Sequence, residues 1–298
     1  MRILLLGHKG MLGSDILSRL STEHEVIGMD KEEIDIVSIS DCKRAIKETK
    51  PDIVINAAAY TNVDGCETAQ EECFAVNAEA VKNIAESCRD KDARIIHFST
   101  DYVFNGKARQ PYKEDDKCNP ISVYGQSKLA GEKYLQSLSH NYLLIRTSWL
   151  YGIKGKNFVQ TILEKAKAKS FIDDTMARTS AKADQPSTLS VVDDQVGSPT
   201  YTKDLAAAVD LLIEKDAQGI INVTNRGTCN WYQFAVRILK ESGFDKMEVI
   251  PIKSSQLKRP AKRPAYSVLD MHKFFQITGK AMQPWQLALQ DYLRSARK

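Results

Sequence analysis

The sequence predicts an α/β protein: a doubly wound parallel sheet followed by a smaller C-terminal α/β lobe. Three observations lead there. Short apolar runs recur at Ile3–Leu6, Ile53–Ile55, Ile95–Phe98 and Leu143–Ile145, and runs without alternation are what strands covered on both faces require. Helix-patterned segments separate them, giving at least five strand–helix units in the first 150 residues, the pattern of a parallel sheet with right-handed crossovers. Finally, small and polar residues follow directly after the runs: three glycines after Leu6, then Asp30, Ala57–Thr61, Ser99–Asp101 and Trp149. In open parallel sheets, ligands bind beyond the carboxyl ends of the strands.

Arg2–Leu6 opens the chain as a buried strand, and Gly7, Gly10 and Gly13 follow at once. Such glycines allow a sharp turn, close approach of a ligand and tight packing of the next helix, predicted from Met11 to about Leu20. The N-terminal N–H groups of that helix suit an anion. The spacing is G-x-x-G-x-x-G, wider than the common dinucleotide pattern. A second strand over Glu25–Met29 ends in Asp30, 20 residues after Gly10, where a carboxylate can accept from a ribose hydroxyl. Ile34–Ile36 is a short segment near that edge. A helix is predicted from Ser38 to about Thr49, a strand over Asp52–Asn56, helical pattern over Glu71–Lys91 and a strand over Arg94–Phe98. His97 reads as a core or sheet-end histidine rather than a catalytic one. Tyr124–Leu135 reads as a helix and Tyr142–Arg146 as a strand.

Beyond Gly152 the repeat breaks down. A helix is predicted over Asn157–Lys169, then a polar stretch, 170–187, read as a loop or a loop with a short helix. Further helices are predicted from Thr202 to about Glu214, over Asn230–Ser242 with Trp231, Phe234 and Ile238 on one face, and over Pro284–Arg297. Of the last, Trp285, Leu287, Leu289 and Tyr292 are predicted core. Strands are predicted at Gly219–Val223 and Met247–Ile252. The organisation expected is a domain over 1–150, rejoined by part of 190–225, and a second lobe formed mainly by 151–298.

Composition narrows the function. With 298 residues, 43% apolar and 27% charged, the chain is ordinary for a globular protein. A net charge of +4 and one short basic stretch, Lys258–Arg263, do not argue for nucleic acid. No run approaches a membrane span, and a core strand at the start leaves no room for a signal peptide. Six cysteines without metal spacing read as reduced thiols. A cytoplasmic protein is expected.

Tyr124 and Lys128 stand at i and i+4, on one helix face. A neighbouring ammonium favours the phenolate and lowers the tyrosine pKa. Such a tyrosine can pass a proton to a carbonyl oxygen as hydride reaches its carbon, and Thr100 can donate a hydrogen bond to the same oxygen. The set needs a hydride source, which a nucleotide site after the first strand would provide.

Seven segments, GHKGMLG, NAAAYTNVD, FSTDYVFNG, YGQSKLAGE, RTSWLYG, DDQVGSPT and RPAYSVLD, span nearly the whole chain. They resemble, in order, those of the extended short-chain dehydrogenase/reductases, and within them the dTDP-4-dehydrorhamnose reductase family. The first and fourth are shared by many reductases; STDYVF, RTSWLYG and DDQVGSPT are far more specific. The resemblance implies a Rossmann-like NAD(P)-binding domain and a substrate-binding lobe. It implies reduction, by NADPH or NADH, of the C4 ketone of dTDP-4-dehydro-β-L-rhamnose to dTDP-L-rhamnose. Thr100, Tyr124 and Lys128 would be catalytic, with Tyr124 the proton donor and Lys128 also holding the nicotinamide ribose. Gly10, Met11 and Leu12, framed by Gly7 and Gly13, would contact the pyrophosphate. Asp30 would meet the adenosine ribose and Asp35 and Ile36 the adenine edge. Ala59, Tyr60, Thr61 and Phe98 would line the cofactor. Asp101 and Trp149, with Thr100, would face the sugar, and Arg263 the diphosphate.

The carboxylate of Asp30 favours NADH and the adjacent Lys31 favours NADPH, so the sequence leaves both. Some members bind magnesium at a dimer contact; no acidic cluster carries that over, so no metal is predicted, while a homodimer stays open. The 170–187 stretch exceeds the usual link and leaves a second reading: a reductase or epimerase of another nucleotide-sugar. A third is a non-catalytic subunit resembling the regulatory subunit of methionine adenosyltransferase. An intact Thr100, Tyr124 and Lys128 argues against that one.

Overall fold

The computed structural model describes residues 1–89, 93–177 and 188–297. Its centre is a six-stranded parallel sheet whose strands fall on the predicted runs, with ends that differ by up to two residues. β1 (Arg2–Leu6), β2 (Glu25–Met29), β3 (Ile53–Asn56), β4 (Arg94–Thr100) and β5 (Tyr142–Thr147) come in chain order. In space the order is β2-β1-β3-β4-β5, with a late strand, Gly219–Asn222, added beside β5. The order reverses between β1 and β3, and a crevice opens at such a switch point.

α1 (Met11–Leu20) covers one face, packing Leu12, Ile16 and Leu20 with Ile3 and Leu5. α2 (Ile39–Thr49) covers the other, started by Ser38, whose hydroxyl accepts from the Asp41 N–H. The helical pattern after β3 resolves into three pieces, α3 (Val63–Cys66), α4 (Gln70–Phe74) and α5 (Ala80–Cys88). One π-helical turn, Ala75–Glu79, joins the last two. α6 (Val123–Leu138) is capped by Ser122, whose hydroxyl accepts from the Gly125 N–H.

The second half forms its own core. β6 (Leu150–Tyr151) and α7 (Phe158–Ala177) lead to β7 (Thr188–Val192), β8 (Val196–Gly197) and β9 (Thr200–Tyr201). α8 (Thr202–Glu214) returns to the large sheet against α1, and β10 (Gly219–Asn222) is that sheet's late strand. β11 (Cys229–Asn230), α9 (Trp231–Glu241), β12 (Glu248–Ile252), α10 (His272–Thr278) and α11 (Trp285–Ala296) complete the chain. Trp231, Phe234 and Ile238 share the apolar face of α9 as expected, packed with Tyr151, Phe158 and Tyr292.

Two expectations need correction. The polar stretch from Ser170 continues α7 through Ala177; it contains no Gly or Pro before Pro186 to stop a helix. Residues 178–187 lie outside the described residues. Leu287, expected in the core, is 50% exposed: the buried stripe of α11 runs Trp285, Ala288, Leu289, Tyr292 and Leu293, and position 287 falls on the opposite side. Among the described residues, no helix is long and apolar enough to cross a membrane.

Candidate active site

Two clefts are candidates for binding, and the first lies beyond the carboxyl ends of β1, β2 and β3. The first holds about 830 Å³ and is bounded by Gly7, Gly10, Asp30, Asp35, Ile36, Ala59 and Tyr60, with Lys9 and Lys31 on its rim. The turn that shapes it is sterically dictated. A Cβ on Gly13 would lie 2.1 Å from the Gly7 carbonyl oxygen, and Gly7 itself has φ +79° against the backbone of Ala58. Gly10 caps α1 without any side-chain acceptor, so the first-turn N–H groups face the cleft mouth free for an anion.

Asp30 accepts from the backbone N–H of Lys9 (3.1 Å) and of Lys31 (2.9 Å). The Lys9 ammonium is engaged by Glu32 at 2.8 Å and Glu33 at 3.2 Å. Asp35 accepts from the Val37 N–H at 3.0 Å. The far wall is fixed by Asn77, which reaches out of the π-helical turn. Its Oδ1 accepts from the Tyr60 N–H (2.9 Å), and its Nδ2 donates to the Tyr60 carbonyl (3.0 Å) and Ser127 Oγ (3.0 Å). π-turns often mark functional sites; no sequence pattern distinguished Asn77 from other polar helix residues.

Not every predicted cofactor neighbour lines this cleft. Leu12 and Phe98 point into the apolar core beneath it, and Gly13 is buried. Met11 packs toward Gly152 and Gly155, and Thr61 is exposed outside the cleft. Phe98 contributes its carbonyl instead, which accepts from Lys128 Nζ at 2.6 Å.

The second cleft, about 570 Å³, lies in the C-terminal lobe. Phe158, Lys165, Trp231, Ser254, Arg259 and Arg263 contribute to its wall. Arg263 is anchored rather than loose: its two terminal nitrogens donate to Asp64 at 3.0 and 2.8 Å. Trp149 has φ +49° and stacks on Trp231 with centroids 3.5 Å apart. It also presses on Gly197, where a Cβ would come within 2.6 Å of the indole.

Thr100, Tyr124 and Lys128, which line neither cleft, gather beside the end of β4. Thr100 ends β4 and donates to Asp101 Oδ1 at 3.1 Å. Its hydroxyl lies close enough to Tyr124 to favour the phenolate. Tyr124 meets Tyr102 edge to face, centroids 5.7 Å apart, and Tyr102 lies close enough to Arg263 to feel its charge. One connected set of side chains thus runs from Thr100 to the second cleft. α6 can press this closely because it carries glycine at two contacts. A Cβ at Gly125 would lie 2.2 Å from the Tyr102 carbonyl oxygen, and one at Gly131 would lie 2.2 Å from that of Asn77.

The electrostatics differ from the expectation. Burial raises the Tyr124 phenol, opposed by its hydrogen bond with Thr100. Lys128 is not among the groups that act on it, and its Nζ donates to the Phe98 carbonyl. Burial pulls Lys128 down to about 8 against the nearby Glu132. Burial also pushes the Asp101 carboxyl up to about 7, opposed by Ser267 and Thr100. Glu132, which the sequence reading missed, is fully buried one helical turn after Lys128. It pairs with Arg146 at 2.7 Å and accepts from Ser99 at 2.5 Å. All six cysteines are free thiols.

The comparisons with known proteins decide the family. The model of the RmlD substrate binding domain matches residues 1–173 and 172–298. The chain belongs to this family. It is 36% identical over 303 residues to the dTDP-4-dehydrorhamnose reductase of Aggregatibacter actinomycetemcomitans, covering 97% of each. The crystal structure of a dTDP-4-dehydrorhamnose reductase from Clostridium acetobutylicum superposes with TM-score 0.91 at 37% identity, over 100% of both chains. That of the Bacillus anthracis enzyme in complex with NADP superposes with TM-score 0.89 at 33% identity, over 99% of both.

Proposed function

We propose that this protein reduces the C4 ketone of dTDP-4-dehydro-β-L-rhamnose with NADPH or NADH, giving dTDP-L-rhamnose. The observation that carries the reading is the convergence of Thr100, Tyr124 and Lys128 beside the end of β4, in a chain that also has a glycine-framed cleft and a second cleft lined by Arg259 and Arg263. The first cleft fits a dinucleotide: bare helix N–H groups for the pyrophosphate, and Asp30 for a ribose hydroxyl. The second fits a nucleoside diphosphate, with guanidinium groups for the phosphates and aromatic faces of Phe158 and Trp231 beside them.

The bound nicotinamide supplies hydride. The chain supplies the rest. Thr100 and Tyr124 hydrogen-bond the ketone oxygen, and Tyr124 delivers its proton there as charge develops. A phenol raised by burial keeps that proton until a base of matching strength forms beside it. Lys128 holds the ribose. Asp101 and Trp149 face the sugar, and Arg263, steadied by Asp64, faces the diphosphate.

The test is absorbance in the nicotinamide band, with purified protein, either cofactor and enzymatically made dTDP-4-dehydrorhamnose. Oxidation that depends on the sugar nucleotide is the expected result, and the same assay ranks the cofactors. Tight cofactor binding without oxidation would move the reading to another nucleotide-sugar or to the regulatory role.

A further inference from the structure

His97 is buried in the sheet, 1% exposed, and the reduction described above makes no use of it. It bridges two groups. Asn56, at the end of β3, presents Nδ2 to His97 Nδ1 at 3.3 Å, and Lys128 presents Nζ to His97 Nε2 at 3.4 Å.

The polarity of this chain is fixed at one end. The Ala58 N–H, in the wall of the cofactor cleft, donates to Asn56 Oδ1 at 3.1 Å. A flipped amide would set two donors against each other, so the Asn56 oxygen faces Ala58 and the NH2 group faces His97. An NH2 group only donates. His97 Nδ1 therefore accepts, and a neutral imidazole carries its single proton on Nε2. That N–H points at Lys128 Nζ. An ammonium has no lone pair to receive it, whereas the neutral amine does, while still donating to the Phe98 carbonyl.

We propose that His97 is a positioning residue for Lys128, locked by Asn56 with its proton on Nε2, so that the ammonium form of the lysine is disfavoured until cofactor occupies the first cleft. The proposal rests on the reading that places ribose hydroxyls at Lys128. Their oxygens supply acceptors that His97 withholds, and the amine then takes up one proton from solvent. The direction agrees with the surroundings. Burial and the facing lysine hold His97 well below the usual imidazole range. Burial lowers Lys128 although Glu132 from its own helix and Cys73 from α4 act the other way.

The experiment is 15N NMR of the full chain, labelled at histidine and free of cofactor, near neutral pH. The His97→Gln variant identifies the resonance among the five histidines. Wild type should show an unprotonated Nδ1 and a protonated Nε2. Asn56→Asp should reverse the two, because a carboxylate accepts from both Ala58 and Nδ1–H. Lys128 then faces an acceptor. The pH above which cofactor affinity falls, tenfold per unit, should move up by about one unit. A wild-type His97 protonated on Nδ1 or on both nitrogens overturns the proposal, as does an unmoved break in a folded Asn56→Asp. Should that variant not fold, the wild-type spectrum decides alone. An inactive enzyme with the assigned tautomer would count against the reductase reading and leave this one standing.

Discussion

Tyr124 keeps its proton in the free protein, so on the proposed mechanism it has one to give. Burial raises its phenol, and Thr100 sits on its oxygen. Tyr124→Phe should therefore lower turnover by roughly 10²–10⁴-fold, the usual contribution of a positioned acid, while cofactor affinity measured by fluorescence stays near wild type. Asp101 gives a second prediction with a defined sign. Its carboxyl titrates at about 7 in the folded chain against an ordinary value of 3.8. Between those values the folded state holds a proton that the unfolded state has lost. Stability from this group is full below the lower value and falls as pH rises through the higher one. Asp101→Asn keeps the neutral form, so its melting temperature relative to wild type should rise from pH 4 to pH 7 and level off above. At this scale the sequence was informative about types and blind to directions. Tyr124, Lys128 and Thr100 were recognisable by spacing and by the strand before them. The tyrosine's raised pKa was not, because it follows from burial by segments far away in the chain.

At the scale of elements, α6 organises the site. Gly125 and Gly131 let it lie against the Asp101–Val103 turn and the π-helical turn, and Glu132 ties it to β4 and β5 through Ser99 and Arg146. Removing one partner of a buried pair leaves the other charge uncompensated and costs about 3–5 kcal/mol. Glu132→Ala should lose about that much in urea unfolding, and activity should drop because Ser99 precedes Thr100. The strands of the large sheet and most helices were legible, since apolar runs and helix starts such as those at Ser38 and Asn230 are local signals. The π-helical turn and the buried Glu132–Arg146 pair were not. Both are set by contacts between segments far apart in the chain. The extension of α7 to Ala177 was hidden by a polar composition that matches a loop as well as an exposed helix.

At the scale of the molecule, the reversal of strand order between β1 and β3 opens the first cleft, and the C-terminal lobe supplies the second. The Arg263–Asp64 contact crosses from that lobe to the segment after β3. The sheet could be anticipated from the spacing of its strands, and the return of α8 and β10 to it was expected from the 190–225 region. The second cleft could not be drawn from sequence. Its wall gathers Phe158, Trp231, Ser254 and Arg263 from separate elements. The central claim is that hydride passes from the cofactor to C4 of a dTDP-sugar. It is tested most directly with cofactor deuterated at the transferring position and dTDP-4-dehydrorhamnose as substrate, followed by NMR of the product. The account predicts dTDP-L-rhamnose carrying deuterium at C4 alone. Deuterium at another carbon, or an unreduced ketone with the cofactor intact, would contradict it.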